Sequence, residues 1–201
     1  MRMVFLPGMS GHGSFWQPVV DRLPGHECRL VDWPGLGGHP PDDDVESYDD
    51  LVDRALGDDD DDDEPMVLVA QSRGGYVALQ AALRSPERVS HLVLAATSGG
   101  LDPRAFGATD WRPGSRAAHP DAPEWAFAPT PDLSDRLTGL AVPTLLVWAT
   151  ADAISPLALG EQLDALLPRS QLLVLDSDDH WVAHHEAATV AAAIERFVAV
   201  S

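Results

Sequence analysis

Short, continuously apolar runs alternate along the chain with longer stretches in which apolar residues recur every three or four positions, predicting strands and helices in turn. Strands are expected near 2–6 and at 28–32, 66–70, 90–96, 143–148 and 171–175; helices are expected near 14–23 and 46–56, and at 74–84, 156–167 and 183–198. Strands separated by helices in this way imply an α/β fold with a doubly wound, mainly parallel sheet of about six strands. One stretch, 97–141, breaks the rhythm with many prolines and glycines. With 201 residues, 45% of them hydrophobic, the chain is expected to build one core and a single domain over 1–201. Phe15 and Trp16, in the first predicted helix, read as core residues.

The most informative junction is Met66-Val67-Leu68-Val69-Ala70-Gln71-Ser72-Arg73-Gly74-Gly75-Tyr76, where an apolar strand turns directly into an Ala-rich helix with one serine at the bend. Such a turn holds its central residue in a strained backbone conformation and lifts the hydroxyl clear of the sheet edge beside a helix N-terminus. It needs small neighbours, and Ala70 and Gly74 stand two residues either side of Ser72. A serine hydroxyl is a poor nucleophile at neutral pH, so a base must lie within reach, and the base needs a carboxylate to fix its tautomer. Both follow in order. Asp152 lies just past the strand 143–148, before Ser155-Pro156, which read as a helix cap and a first-turn proline. His180 lies past the strand 171–175, in Asp176-Ser177-Asp178-Asp179-His180-Trp181.

At this point the chain resembles the α/β-hydrolase superfamily along nearly its whole length, from Val4-Phe5-Leu6-Pro7-Gly8 to the terminal helix, and is similar to its small esterases of the pimeloyl methyl ester kind. The resemblance implies a trimmed version of that fold, since the two antiparallel strands with which many larger relatives start would have to precede Met1. It implies Ser72 as nucleophile, His180 as general base and then acid, and Asp152 as the residue orienting the imidazole. The backbone N–H groups of Met9 and Arg73 match the oxyanion-hole positions. The activity implied is hydrolysis of small-molecule carboxylic esters, of short to medium acyl chain, through an acyl-enzyme, with no cofactor and no metal. Carbon–carbon hydrolases, lyases and perhydrolases use the same three residues, and a non-catalytic receptor on this scaffold is a reading of a different class. The segment 97–141 takes the place of the cap of larger relatives, as a short cap-like insertion. Its Phe106, Trp111, Trp125 and Phe127 either wall an apolar substrate pocket or pin the loop to the core.

Alternatives stay open within the site. His184 and His185 follow His180 closely but fall inside the predicted terminal helix, and Asp152 could serve only to start a helix. Asp176, Asp178 and Asp179 read as a solvated acidic loop. The side chain of Arg73 is expected near the pocket mouth, where it could select a substrate carboxylate, or else turn to solvent or pair with an acid. Gly8-Met9-Ser10-Gly11-His12-Gly13 has the wrong glycine spacing for a dinucleotide turn, and a chain without lysine lacks the Tyr-x-x-x-Lys pair of short-chain dehydrogenases, which disfavours an oxidoreductase.

Charge adds one more expectation. Against 32 acidic residues stand 13 arginines and no lysine, a formal net charge of −19, with an unbroken run from Asp58 to Asp63 and a shorter one at Asp42-Asp43-Asp44. Neither run has the spaced ligands of a calcium loop. Nucleic acid and anionic membranes should be repelled, and the Asp-rich composition, which also lacks asparagine, suits a high-salt cytoplasm. No apolar stretch approaches the roughly 20 residues of a membrane span, and Met3-Val4-Phe5-Leu6-Pro7 carries no basic leader, so an intracellular chain is expected. Cys28, the single cysteine, reads as a small core residue.

Overall fold

The computed structural model describes residues 1–57 and 64–200; the acidic run from Asp58 to Asp63 lies outside the described residues. Six strands, β1 (Arg2–Leu6), β2 (Glu27–Leu30), β3 (Met66–Gln71), β4 (Val89–Ala95), β5 (Thr144–Ala149) and β6 (Ser170–Leu175), form one sheet. Its order is β2-β1-β3-β4-β5-β6 and every pairing is parallel. The four central strands are mostly apolar because both faces are covered. Val4, Leu6, Leu68, Ala70, Leu92, Leu94, Leu146 and Trp148 face one core, shared with α2 (Tyr48–Leu56), α3 (Arg73–Arg84) and α6 (Leu157–Leu166). Met3, Phe5, Val67, Val69, Val93, Ala95, Leu145 and Val147 face the other, under α1 (Gln17–Val20) and the C-terminal helix. Between β4 and β5 lie α4 (Arg112–Ala118), α5 (Ser134–Leu137) and two 3₁₀ turns, Pro103–Phe106 and Glu124–Phe127. No helix among the described residues is long and apolar enough to cross a membrane.

Two predicted helices are shorter or broken. The first, expected over 14–23, is a 3₁₀ turn at Gly13–Trp16 followed by the single turn of α1. Pro18 has no N–H to return to a preceding carbonyl, so a continuous helix cannot run through it. Phe15 and Trp16 are buried there, and Trp16 Nε1 donates to the Leu6 carbonyl at 3.0 Å. The last predicted helix divides at Glu186 into α7 (Val182–His185) and α8 (Ala187–Val200). Cys28 is half-buried on β2 rather than fully in the core, and burial raises its thiol pKa above the ordinary value.

Candidate active site

The parallel sheet delivers its strand ends to one edge, and the loops leaving β3, β5 and β6 bring Ser72, Asp152 and His180 together. Ser72 sits alone between β3 and α3 with φ +53° and ψ −118°, a region that costs a non-glycine residue of order 1–3 kcal/mol. The surroundings hold it there. The Ser72 N–H donates to Ala95 O at 2.9 Å, and its carbonyl accepts from Thr97 Oγ1 at 2.6 Å and from the Gly75 N–H at 3.0 Å. The bend also forbids side chains: a Cβ on Gly74 would stand 2.4 Å from the Pro7 carbonyl oxygen, and one on Gly75 would meet Thr97 Oγ1 at 2.5 Å.

His180 Nδ1 is 2.7 Å from Asp152 Oδ2, and its Nε2 is 3.1 Å from Ser72 Oγ. An ionised carboxylate only accepts, so Nδ1 carries the ring proton and Nε2 turns its lone pair to the serine hydroxyl. The Asp152 side chain is 1% exposed. Burial alone would raise its pKa, but the hydrogen bond and charge of His180, with N–H bonds from Ser155 at 3.1 Å and Ile154 at 2.7 Å, outweigh burial and hold it below the ordinary carboxylate value. Those N–H bonds replace the helix cap expected of Ser155, since α6 starts after Pro156.

His184, His185 and Asp179 are engaged elsewhere. His184 Nδ1 bonds the Phe15 carbonyl at 2.6 Å, and His185 pairs with Asp179. Asp179 Oδ1 also accepts from the Trp181 N–H at 2.9 Å. Met9 lies in the loop after β1, which is tied down by Trp33 Nε1 donating to Pro7 O at 2.9 Å and Gly11 N–H to Gly8 O at 3.2 Å. A Cβ on Gly8 would lie 2.2 Å from Gln71 Oε1, so this loop packs directly against the turn that carries Ser72.

Two cavities share Ser72, Trp111 and Ile154 in their walls. The smaller, about 150 Å³, also touches Met9, Gln71, His180 and Trp181, and the larger, about 430 Å³, runs under the 97–141 segment. Of the four aromatics expected to wall a pocket, Trp111 does so; Phe106, Trp125 and Phe127 line neither cavity. Phe127 is buried and stacks on Trp111 at 6.1 Å between centroids, and Trp125 packs edge-on to Tyr48 at 5.4 Å. Three of the aromatics thus pin the segment, and the larger cavity has a mixed wall in which Leu101, Pro103, Trp111 and Ile154 stand beside ion pairs, Asp102 with Arg104 at 3.0 Å and Asp110 with Arg112 at 3.2 Å.

Arg73 lines the larger cavity beside Ser72, as expected, but its side chain neither turns to solvent nor pairs with an acid. It is buried, and Nη2 donates to the Ala126 carbonyl at 3.1 Å, to the Ala128 carbonyl at 2.9 Å and to the Tyr48 hydroxyl. Its guanidinium lies 4.4 Å from the Tyr48 ring centroid and 5.3 Å from that of Trp111. Burial lowers the Arg73 pKa, with Tyr48 opposing. Tyr48, which sequence reasoning did not single out, completes the arrangement by donating to Ala126 O at 2.6 Å.

Residues 3–138 match the model of the Alpha/beta hydrolase family, and residues 116–200 match that of TAP-like proteins. The pimeloyl-[acyl-carrier protein] methyl ester esterase of Vibrio campbellii is 28% identical, over 92% of this chain and 90% of the relative. The enzyme of that name from Aeromonas hydrophila is 29% identical, over 89% and 87%. Among solved structures, a thermophilic esterase from Thermogutta terrifontis superposes with a TM-score of 0.81 at 21% identity, covering 98% of this chain and 89% of that one.

Proposed function

Because the chain belongs to the alpha/beta hydrolase family, we propose that it is a serine hydrolase that cleaves carboxylic esters of small molecules through an acyl-enzyme, with the 97–141 segment as a minimal cap. The observation that carries this reading is the continuous hydrogen-bonded chain from Asp152 through His180 to Ser72, ending on a serine held at positive φ. His180 Nε2 takes the Ser72 proton as Oγ attacks the ester carbonyl, and Asp152 stabilises the imidazolium that results. The oxyanion forms toward the N–H groups of Arg73, at the start of α3, and Met9, where fixed donors act on charge that appears only in the transition state. His180 then returns the proton to the leaving alkoxide. Water, activated by the same imidazole, attacks the acyl-enzyme and frees Ser72. An ester as substrate is further supported by the names of the relatives, which are methyl ester esterases.

The modest size of the larger cavity, whose apolar wall is interrupted by charged pairs, favours short to medium acyl chains. Each buried CH₂ adds about 0.8 kcal/mol, or roughly fourfold in kcat/KM, only while there is apolar wall to receive it. With p-nitrophenyl esters of increasing acyl length, kcat/KM is expected to peak early and then fall. A steady rise out to long-chain lipid esters would contradict the proposal, and no turnover of any ester would favour a carbon–carbon hydrolase or a receptor.

The net charge of −19 supports a second proposal, that the protein is adapted to high salt. The Debye length shrinks from about 10 Å at 0.1 M salt to about 3 Å at 1 M, which removes most of the repulsion within an acidic surface. Tm should therefore rise with NaCl, and replacing Asp58 to Asp63 by serine should raise Tm at low salt and flatten the response. A Tm indifferent to salt would leave the acidic surface serving solubility alone.

A further inference from the structure

Away from Ser72, three side chains with metal-ligating atoms converge where the loop after β1 meets the loop after β2. His12 Nδ1 lies 2.9 Å from His39 Nε2, and His39 Nε2 lies 3.5 Å from Asp32 Oδ1. All three ligand atoms fall within 4.8 Å of one another. Around a tetrahedral zinc ion, with bonds of about 2.0–2.1 Å, ligand atoms stand about 3.3 Å apart, so the two His39 separations of 2.9 and 3.5 Å already match those of ligands on one metal.

The backbone prepares the meeting. Asp32 Oδ1 accepts the Gly13 N–H at 2.7 Å, which fixes the carboxylate, and the Trp33 N–H donates to Gly11 O at 2.8 Å, which joins the two loops beside it. Gly37, at φ +59°, lets the second loop come close: a Cβ there would stand 2.2 Å from Ser10 O and 2.7 Å from His12 Nε2. Acidic side chains gather at the place. Asp42, Asp43 and Asp44 wall the same open cavity of about 570 Å³ as Asp32 and His39, and Arg54 in that wall is paired with Asp42.

We propose that His12, Asp32 and His39 bind a divalent metal ion of the zinc class, which clasps the loop carrying Met9 to the loop after β2. Two imidazoles and one carboxylate are the donor set of a borderline ion such as Zn²⁺, whereas Ca²⁺ and Mg²⁺ take oxygen ligands. Three protein ligands leave the fourth position to water. The consequence for Met9 rests on the hydrolase reading, but the binding does not, and the two fail separately because binding is measured without substrate.

The test titrates the full chain, first freed of metal by a chelator, with ZnCl₂ by calorimetry and with CoCl₂ by visible absorption. One saturating equivalent of zinc is expected, together with the intense bands of four-coordinate cobalt and a Tm that rises with zinc. His12→Ala and His39→Ala should each weaken binding by more than about 100-fold, beyond the ~10–100-fold that losing an outer-shell partner costs. His185→Ala should bind like the wild type, which separates this site from the surface pair of His185 with Asp179. The wild-type cobalt spectrum decides without any variant. The proposal is overturned by the absence of saturable binding, by the weak spectrum of six-coordinate cobalt, or by full affinity in the His12→Ala/His39→Ala double variant.

Discussion

Ser72→Ala and His180→Ala are each expected to lower kcat on a p-nitrophenyl ester by about 10⁴-fold or more, with the double variant little worse than either. The non-additivity is the sharper part of the expectation. On the proposed mechanism Ser72 Oγ and His180 Nε2, 3.1 Å apart, would act as one proton-transfer unit, so that once either is gone the other has nothing left to do. Any residual rate would come from substrate binding and the donors of Met9 and Arg73. His184→Ala should leave kcat within a few-fold, because its Nδ1 is spent on the Phe15 carbonyl, and should show instead as a small loss of Tm from the contact with Phe15. Rapid mixing with excess ester separates these roles: wild type should release a burst of p-nitrophenol as the acyl-enzyme accumulates, and Ser72→Ala should not. If His184→Ala proved inactivating while His180→Ala retained turnover, the base would have been misassigned.

That Ser72, Asp152 and His180 could be read before any coordinates follows from the physics of a parallel sheet. Strands covered on both faces are mostly apolar, so β3 and β5 announce themselves as Met66–Gln71 and Thr144–Ala149, the run 172–175 marks β6, and the polar residues just past these three ends fall at the same edge. Other features have no local signature. The break of the last helix at Glu186 and the direction of the Arg73 side chain depend on what packs against them. The 97–141 segment has no single period because much of its order comes from distant partners: the Thr109 N–H donates to Ala153 O at 2.7 Å, and the Glu124–Phe127 turn is met by Arg73 and Tyr48. From sequence, Trp111, Trp125 and Phe127 were equivalent aromatics in a proline-rich stretch; only their place in the folded chain distinguishes the one at the cavity from those that anchor. His12, Asp32 and His39 escape for the same reason, since two separate loops supply them and their spacing matches no ligand motif.

Arg73→Met is expected to destabilise the protein by about 2–4 kcal/mol, because the thioether fills similar space while leaving buried oxygens without their charged donor. The guanidinium reaches the Ala126 and Ala128 carbonyls and the Tyr48 hydroxyl from one side of the turn and lies against Trp111 on the other, so it fastens the 124–128 stretch directly over the residue next to Ser72. For a chain of this length that cost corresponds to a fall in Tm of roughly 5–15 °C. Arg73→Lys should recover little of it, since an ammonium lacks the planar face that stacks on Tyr48 and Trp111. The backbone N–H of residue 73 survives either change, so kcat on a small ester should drop far less than in Ser72→Ala, while KM rises as the segment loosens. Two further measurements separate a latch from general damage. Hydrogen exchange should accelerate first at the Ala126 and Ala128 amides, which close the Glu124–Phe127 turn onto Pro123 O and Trp125 O at 3.1 and 3.0 Å. Tyr48→Phe should cost less alone and, in a double-mutant cycle with Arg73→Met, show a coupling of at least ~0.5 kcal/mol, because both side chains serve the same carbonyl. An unchanged Tm in Arg73→Met, with exchange at those amides as slow as in the wild type, would mean that the segment is held by its aromatics alone.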